Sequence, residues 1–245
     1  MQVKQVLELS GGKSYVLKIQ DNKKLLSIDA ANSLYESGMV NWSEPNFYFS
    51  GLLCFNPNDQ YFPQQWAIRN TGNNIPGGVI GTAGCDTKTD SAWNLTTGAP
   101  QCIICIVDTG IDTTHPDIKA NLLVSKGYDF INEHPYPMDD HGHGTVTAGL
   151  TAAVQNNEIG ISGIAPGCKL VAVKIFNSSA GTTSSAMVNG IIYSYQQGWV
   201  SSNSWGLSAG VSAVDQAIQD GVNLGRNGKG TVFCFATGNS NSGMQ

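Results

Sequence analysis

The sequence is short of charge. Asp, Glu, Lys and Arg make up 13% of its 245 residues, about half the share of an ordinary soluble domain. The 13 basic residues are spread thinly, and the formal net charge is −5. No Lys/Arg cluster offers a footing for nucleic acid or for an anionic membrane, so neither is an expected partner. No uninterrupted apolar run reaches the length of a membrane span. The opening stretch from Met1 to Gln20 is interrupted by polar or charged residues every few positions, unlike a signal peptide. Cysteine gives no evident framework. Six occur, at 54, 85, 102, 105, 168 and 234, and an even count in a long chain is weak evidence for disulfides. Cys102 and Cys105 have redox or zinc spacing. They sit in the apolar run CIICIV, where a strand would point them to opposite faces, and no second pair lies at zinc-site spacing. They are expected to be small buried hydrophobes.

What remains is a globular chain, 41% hydrophobic with 29 glycines, long enough for one large core. Its first fifty residues differ from the rest. They carry Lys4, Lys13, Lys18, Lys23 and Lys24, and the alternating KSYVLKI of a half-buried antiparallel strand. SIDAANSLYESG reads as a short helix capped by Ser27 or Asp29 and stopped at Gly38, and MVNWSEPNFYF reads as an extended piece broken by Pro45. This is a small α+β unit. From Gln101 the rhythm changes to repeated strand–helix units. The strands are CIICIV (102–107), KLVAVKIF (169–176), WVSSNSWG (199–206) and TVFCFATGN (231–239). Near-continuous apolar strands of this kind predict an α/β fold, a mostly parallel sheet with helices on both faces.

Chemistry in such sheets gathers at the C-terminal ends of the strands. Asp108 stands there in VDTGID, where an Asx-turn alone would also account for it. The stretch DDHGHGTVTAGL holds His141 and His143. A zinc pair on one helical face needs i and i+4 spacing, and these are i and i+2. The small residues Gly144, Thr145, Ala148 and Gly149 let a helix begin right after His143, which could then meet Asp108. An Asp–His pair fixes the imidazole tautomer and supports general-base work. Asn239, past the last strand, is either an exposed turn residue or an amide donor to a developing oxyanion.

Five blocks in order across 106–239 resemble the subtilisin-like serine proteases, the subtilases. IVDTGIDTTHPDI resembles the block around the catalytic Asp, DDHGHGTVTAG the catalytic-His block, and FATGN the block of the oxyanion-hole Asn. GIAPGCKLVAVKIF resembles the strand after the His helix, and SNSWG a wall of the specificity pocket. The resemblance implies polypeptide substrates and a serine endopeptidase mechanism. His143 would be the base, Asp108 its orienting partner and Asn239 an oxyanion donor. It also implies that the backbones of Ala180, Gly181 and Thr182, and of Ser204, Trp205 and Gly206, hold the substrate as an added strand.

The family's nucleophile block, Gly-Thr-Ser-x-Ala-x-Pro after the Asn, is not found among these residues. GTTSSAM at 181–187 imitates it but precedes Asn239 and lacks the Pro. The expectation is a subtilase catalytic domain over 58–245, incomplete at its C-terminus and without turnover as it stands. The alternative is a non-catalytic binding module or one half of a split enzyme. VQNNEIGI (154–161) resembles the family's calcium loop. The implied Ca²⁺ ligands are Asp59, Asp117, the Asn157 side chain and the carbonyls of Gln155, Ile159 and Ile161. By the same resemblance residues 1–50 are an inhibitory propeptide segment and partner, 51–57 are a linker or processing region, and the protein is secreted or cell-surface and bacterial.

Overall fold

The structure, a computed structural model, describes residues 3–9, 13–20, 26–47, 56–206 and 210–239. The chain divides into two compact units, Met1–Leu52 and Leu53–Gln245. Cys54 and most of the expected processing region lie outside the described residues.

In the first unit, β1 (Val3–Leu9) pairs antiparallel with β2 (Ser14–Ile19), with a register shift between Gln5 and Leu7. Helix α1 (Ser27–Glu36) buries Ala30 and Ala31. Neither Ser27 nor Asp29 caps it. The N-cap position is Leu26, and no side chain bonds there. Asp29 sits instead in the first turn, where its charge suits the helix dipole. Gly38 follows the helix end with φ +67°. Residues 42–47 form neither strand nor helix, and Pro45 lacks the N–H that a ladder needs.

The second unit is built on five parallel strands: β3 (Ile103–Asp108), β4 (Tyr128–Asp129), β5 (Lys169–Lys174), β6 (Val200–Asn203) and β7 (Val232–Phe235). The short helix α2 (Thr89–Ala92) precedes them, and α3 (His143–Ala152), α4 (Ser184–Gln197) and α5 (Ser212–Gly228) connect them. Their order across the sheet is β4-β5-β3-β6-β7. Side-chain alternation divides the core in two. Ile104, Ile106, Leu170 and Ala172 pack with Ala148 and Ala152 of α3. Cys105, Val107, Val171 and Val173 face the other way, to Met187 of α4 and Val214 of α5. β3 and β5 are therefore apolar on both faces, which is why each reads as a continuous run. Two-residue β4, too short to give a sequence signal, forms the edge beyond β5.

From the central strand β3 the chain crosses to the edge strand β4, comes back to lay β5 between the two, then passes β3 to build β6 and β7 on the other side. The connections leaving β3 and β6 thus diverge, which makes their C-terminal ends the switch point at which doubly wound sheets place ligands. Before the sheet, the segment from Asn58 to Trp93 is anchored by Phe62, Ile68 and Trp93, and the Trp93 indole N–H donates to the Ile164 carbonyl at 2.9 Å. Gln65 and Ser162 exchange two bonds, at 2.9 and 2.8 Å. Among the described residues no helix is long and apolar enough to cross a membrane.

Candidate active site

Asp108 is the last residue of β3 and His143 the first of α3. His143 Nδ1 and Asp108 Oδ1 are 2.8 Å apart. A carboxylate can only accept, so Nδ1 carries the proton and Nε2 is left with a free lone pair. Asp108 is 2% exposed, whereas the His143 side chain is 46% exposed. The pair is buried at its orienting end and open at its reactive end. The Thr109 N–H also donates to Asp108 Oδ1, at 2.7 Å. Oδ2 is buried without a partner among the described residues.

Close backbone approach makes this geometry. A Cβ on Gly144 would lie 2.0 Å from the Gly110 carbonyl oxygen. Gly110 itself has φ +107° and lies against the backbone of Pro137 and Met138. Two glycines therefore bring the start of α3 onto the end of β3.

Sequence reasoning missed the layer beneath. Asp139 accepts from the Thr109 hydroxyl (2.8 Å), the Thr145 hydroxyl (2.6 Å), and the N–H groups of His141, Gly142 and Thr145 at 2.9–3.0 Å. It caps α3 from outside the helix and ties that cap to β3. Burial works against its charge. The Thr145 hydroxyl and the N–H groups of Gly142, His141 and Thr145 outweigh it, holding the pKa down to about 2. The Thr109 hydroxyl oxygen in turn accepts from the Gly144 N–H at 2.9 Å. Asp just before a small-residue helix is a capping signal that could have been read. Lys174, 1% exposed at the end of β5, donates to the Thr109 carbonyl at 2.6 Å and to Asp140 at 2.5 Å. A lysine in an apolar strand gave no such signal. His141 stays on the exposed loop, its ring 6.3 Å from that of His143.

Around this pair, Ser204, Trp205 and Gly206 leave the end of β6, and their backbones make no hydrogen bond among the described residues. The Trp205 indole turns inward. Its N–H donates to the Val107 carbonyl at 2.9 Å, and its ring packs edge-on against Phe176 and Phe235. On the other side, Ala180 has φ +58°, and its N–H is taken by the Asn177 carbonyl. The Gly181 N–H goes to Asn177 Oδ1 and its carbonyl to the Asn177 N–H. Of these three, only Thr182 keeps a backbone without a hydrogen bond among the described residues; its hydroxyl bonds the Ile175 carbonyl. Asn239 is exposed beyond β7 and bonds neither Asp108 nor His143. Ser184 and Ser185 open α4, and Ser185 Oγ meets the Thr183 hydroxyl. No hydroxyl among the described residues bonds His143 Nε2.

Asp59 and Asp117 are each 2% exposed and meet at the 154–161 loop. Asp59 accepts from the N–H groups of Asn156 and Asn157, and Asp117 from the Asn157 amide and the Ile161 N–H. The carbonyls of Gln155, Ile159 and Ile161 accept no hydrogen bond among the described residues. Two buried carboxylates, an amide and uncommitted carbonyls are oxygen donors of the kind that suits Ca²⁺. Among the described residues no group of three or more His, Cys, Asp or Glu is gathered for a metal.

The second unit is a doubly wound α/β sheet with an Asp–His pair at its switch point. Residues 100–245 match the model of the subtilase family, and the chain belongs to that family. It is 34% identical to the thermophilic serine proteinase of Bacillus sp. (strain AK1), over 86% of this chain and 47% of that protein. It is 38% identical to thermitase of Thermoactinomyces vulgaris, over 61% of this chain and 51% of that one. It is also similar to human neuroendocrine convertase 2, at 34% identity over 78% of this chain and 31% of that protein. The chain thus spans about half or less of these relatives. Among solved structures, a serine protease of Aeromonas sobria shares the fold, with a TM-score of 0.64 at 21% identity, over 79% of this chain and 35% of that one.

Proposed function

We propose that these residues carry the acid–base half of a serine endopeptidase. The observation behind this is the 2.8 Å contact between His143 Nδ1 and Asp108 Oδ1, with Nε2 open to solvent. In this reading a serine hydroxyl attacks the substrate carbonyl and gives its proton to Nε2. His143 then hands the proton to the leaving amine. Asp108 holds the ring in the Nδ1–H tautomer and stabilises the imidazolium. Asn239 donates to the tetrahedral oxyanion once substrate is present, worth on the order of 10²–10³ in turnover for such a donor. Thr182 and the free backbone of Ser204–Gly206 hold the peptide as an added strand, which favours tolerance of substrate sequence.

The nucleophile lies outside the described residues, since none of their hydroxyls reaches Nε2. The 245 residues by themselves are inactive in this reading. Ca²⁺ held by Asp59, Asp117, Asn157 and the carbonyls of Gln155, Ile159 and Ile161 stiffens the loop against the Asn58–Trp93 segment. Residues 1–50 act as a propeptide partner, supported by their being a separate small α+β unit, and the protein works outside a bacterial cell.

Labelling with a fluorophosphonate probe tests the proposal. The 245 residues take up none. Joined to a segment bearing Gly-Thr-Ser-x-Ala-x-Pro, they label at that serine, and His143→Ala abolishes the labelling. Labelling of Ser184 or Ser185 in the 245 residues overturns the reading. So does labelling of the joined protein that survives H143A.

A further inference from the structure

Cys102 immediately precedes β3 and Cys168 immediately precedes β5. The proteolytic reading uses neither. The strands pair in parallel with Ile103 opposite Lys169, and the Lys169 N–H donates to the Cys102 carbonyl at 3.2 Å. One residue back in the same register sets Cys102 opposite Cys168. Neighbouring strands run about 4.8 Å apart, inside the Cα separation of about 4.4–6.8 Å that a disulfide spans. Side-chain direction agrees, because both cysteines pack into the cluster of Ile104, Leu122 and Leu170 on the α3 face. Cys105 faces the opposite layer, where burial pushes its thiol up to about 12. The C-x-x-C of the sequence is therefore not the pair. Cys168 is 3% exposed, and Cys102 is partly exposed. Burial first, and then the adjoining Cys168 thiol, raises the Cys102 thiol above the usual cysteine range, and the two thiols are within hydrogen-bonding reach.

We propose that Cys102 and Cys168 are a disulfide-forming pair that ties together the feet of β3 and β5 when the protein meets an oxidising compartment. The oxidant is a small-molecule disulfide. Cys102, the more accessible thiol, loses its proton and its thiolate attacks one sulfur of the oxidant. The S–S bond of the oxidant breaks, one thiolate leaves, and a mixed disulfide forms on Cys102. The Cys168 thiolate then attacks the Cys102 sulfur and expels the second thiolate. The protein gives up two protons and two electrons, and the oxidant becomes two thiols. The second step needs no path from solvent to Cys168, because the attacking and attacked sulfurs are already neighbours.

Peptide mapping of the full chain tests this. The protein is incubated with oxidised glutathione in mildly alkaline buffer, its remaining thiols are alkylated, and it is digested without reduction. The expected product is a Cys102–Cys168 cross-linked peptide pair that dithiothreitol separates, with a loss of two free thiols. A Cys85→Ser, Cys234→Ser double variant removes the two exposed cysteines among the described residues and keeps the cross-link. A Cys102→Ser variant leaves Cys168 a free thiol. Recovery of Cys102 and Cys168 both alkylated, a cross-link to any other cysteine, or loss of the cross-link in the C85S/C234S variant overturns the proposal.

Discussion

Lys174 stands opposite Asp108 on the neighbouring strand, and both side chains are sealed from solvent. Parallel register sends the two to the same face of the sheet. The ammonium bonds the carbonyl of Thr109, the residue after Asp108, and reaches out to Asp140 on the loop that leads into α3. A buried cation is therefore built in behind the Asp–His pair, and it fastens the end of β3 to the loop that delivers His143.

Removing either partner of Lys174–Asp140 should have unequal effects. Asp140→Ala leaves a buried ammonium with only a carbonyl, which costs about 2–3 kcal/mol. Lys174→Met removes the buried charge and leaves an Asp140 that is 47% exposed and rehydrates, so it should cost less. Urea denaturation midpoints of the two variants give the comparison, and equal losses would contradict it.

Asp139 makes stability depend on acid. Its folded pKa, about 2, is depressed below the ordinary carboxylate value. The unfolded state binds the proton more readily, so its contribution is complete above the unfolded value and is lost as pH falls through the folded one. Asp139→Asn should be less stable than the parent at neutral pH, with the difference shrinking as pH falls from about 5 toward 2. Thermal midpoints across that range measure it. A constant difference would mean the carboxylate charge does not matter.

Gly144→Ala should separate the Asp108–His143 pair. Its Cβ would lie 2.0 Å from the Gly110 carbonyl, backbone against backbone, so α3 must move. A loss of about 1–3 kcal/mol is expected. The downfield Nδ1–H proton resonance of His143 should weaken or disappear, as it should in Asp108→Ala. A variant that keeps both stability and resonance would show that the two backbones can slide apart freely.

Calcium should raise the thermal midpoint of the second unit. Asp117→Asn and Asp59→Asn should each abolish the rise, because each removes a buried anionic ligand. Calorimetry with added Ca²⁺, set against the same titration with Mg²⁺, reads the effect. An unchanged midpoint in the parent protein removes the site.

Much of the second unit was legible along the chain. Strands β3 and β5 are apolar on both faces and β7 is apolar in composition, and α4 and α5 follow polar loops, so composition separates these elements. At the start of α4 the sequence is also locally explicit, since the Thr183 hydroxyl accepts from the Ala186 N–H at 3.1 Å. The edge strand β4 was not legible, because two residues carry no period. The expected cap of α1 by Ser27 or Asp29 failed for a local reason: the helix begins at Ser27, so both residues lie inside its first turn and Leu26 holds the cap position. The substrate edge at Ala180 and Gly181 was read from resemblance alone. Asn177 folds that stretch into a turn and takes up the backbone groups of both residues.

The sequence by itself determined the chemistry at hand: a carboxylate after one strand, an imidazole at the head of a small-residue helix, and the apolar runs that become strands. These are properties of neighbours along the chain, set by side-chain period and turn residues. Only the tertiary structure decided which groups support that chemistry. Lys174 lies 34 residues from Asp140 and 65 from Thr109, and Asp139 lies 30 from Thr109, and nothing along the chain tells which of these groups meet. Parallel pairing of β3 with β5, and the approach of Gly144 to Gly110, place them at the site. The same pairing sets Cys102 against Cys168 rather than against the Cys105 of its own motif. Long-range register fixes which side chains share a face, and that information exists only once the strands are side by side.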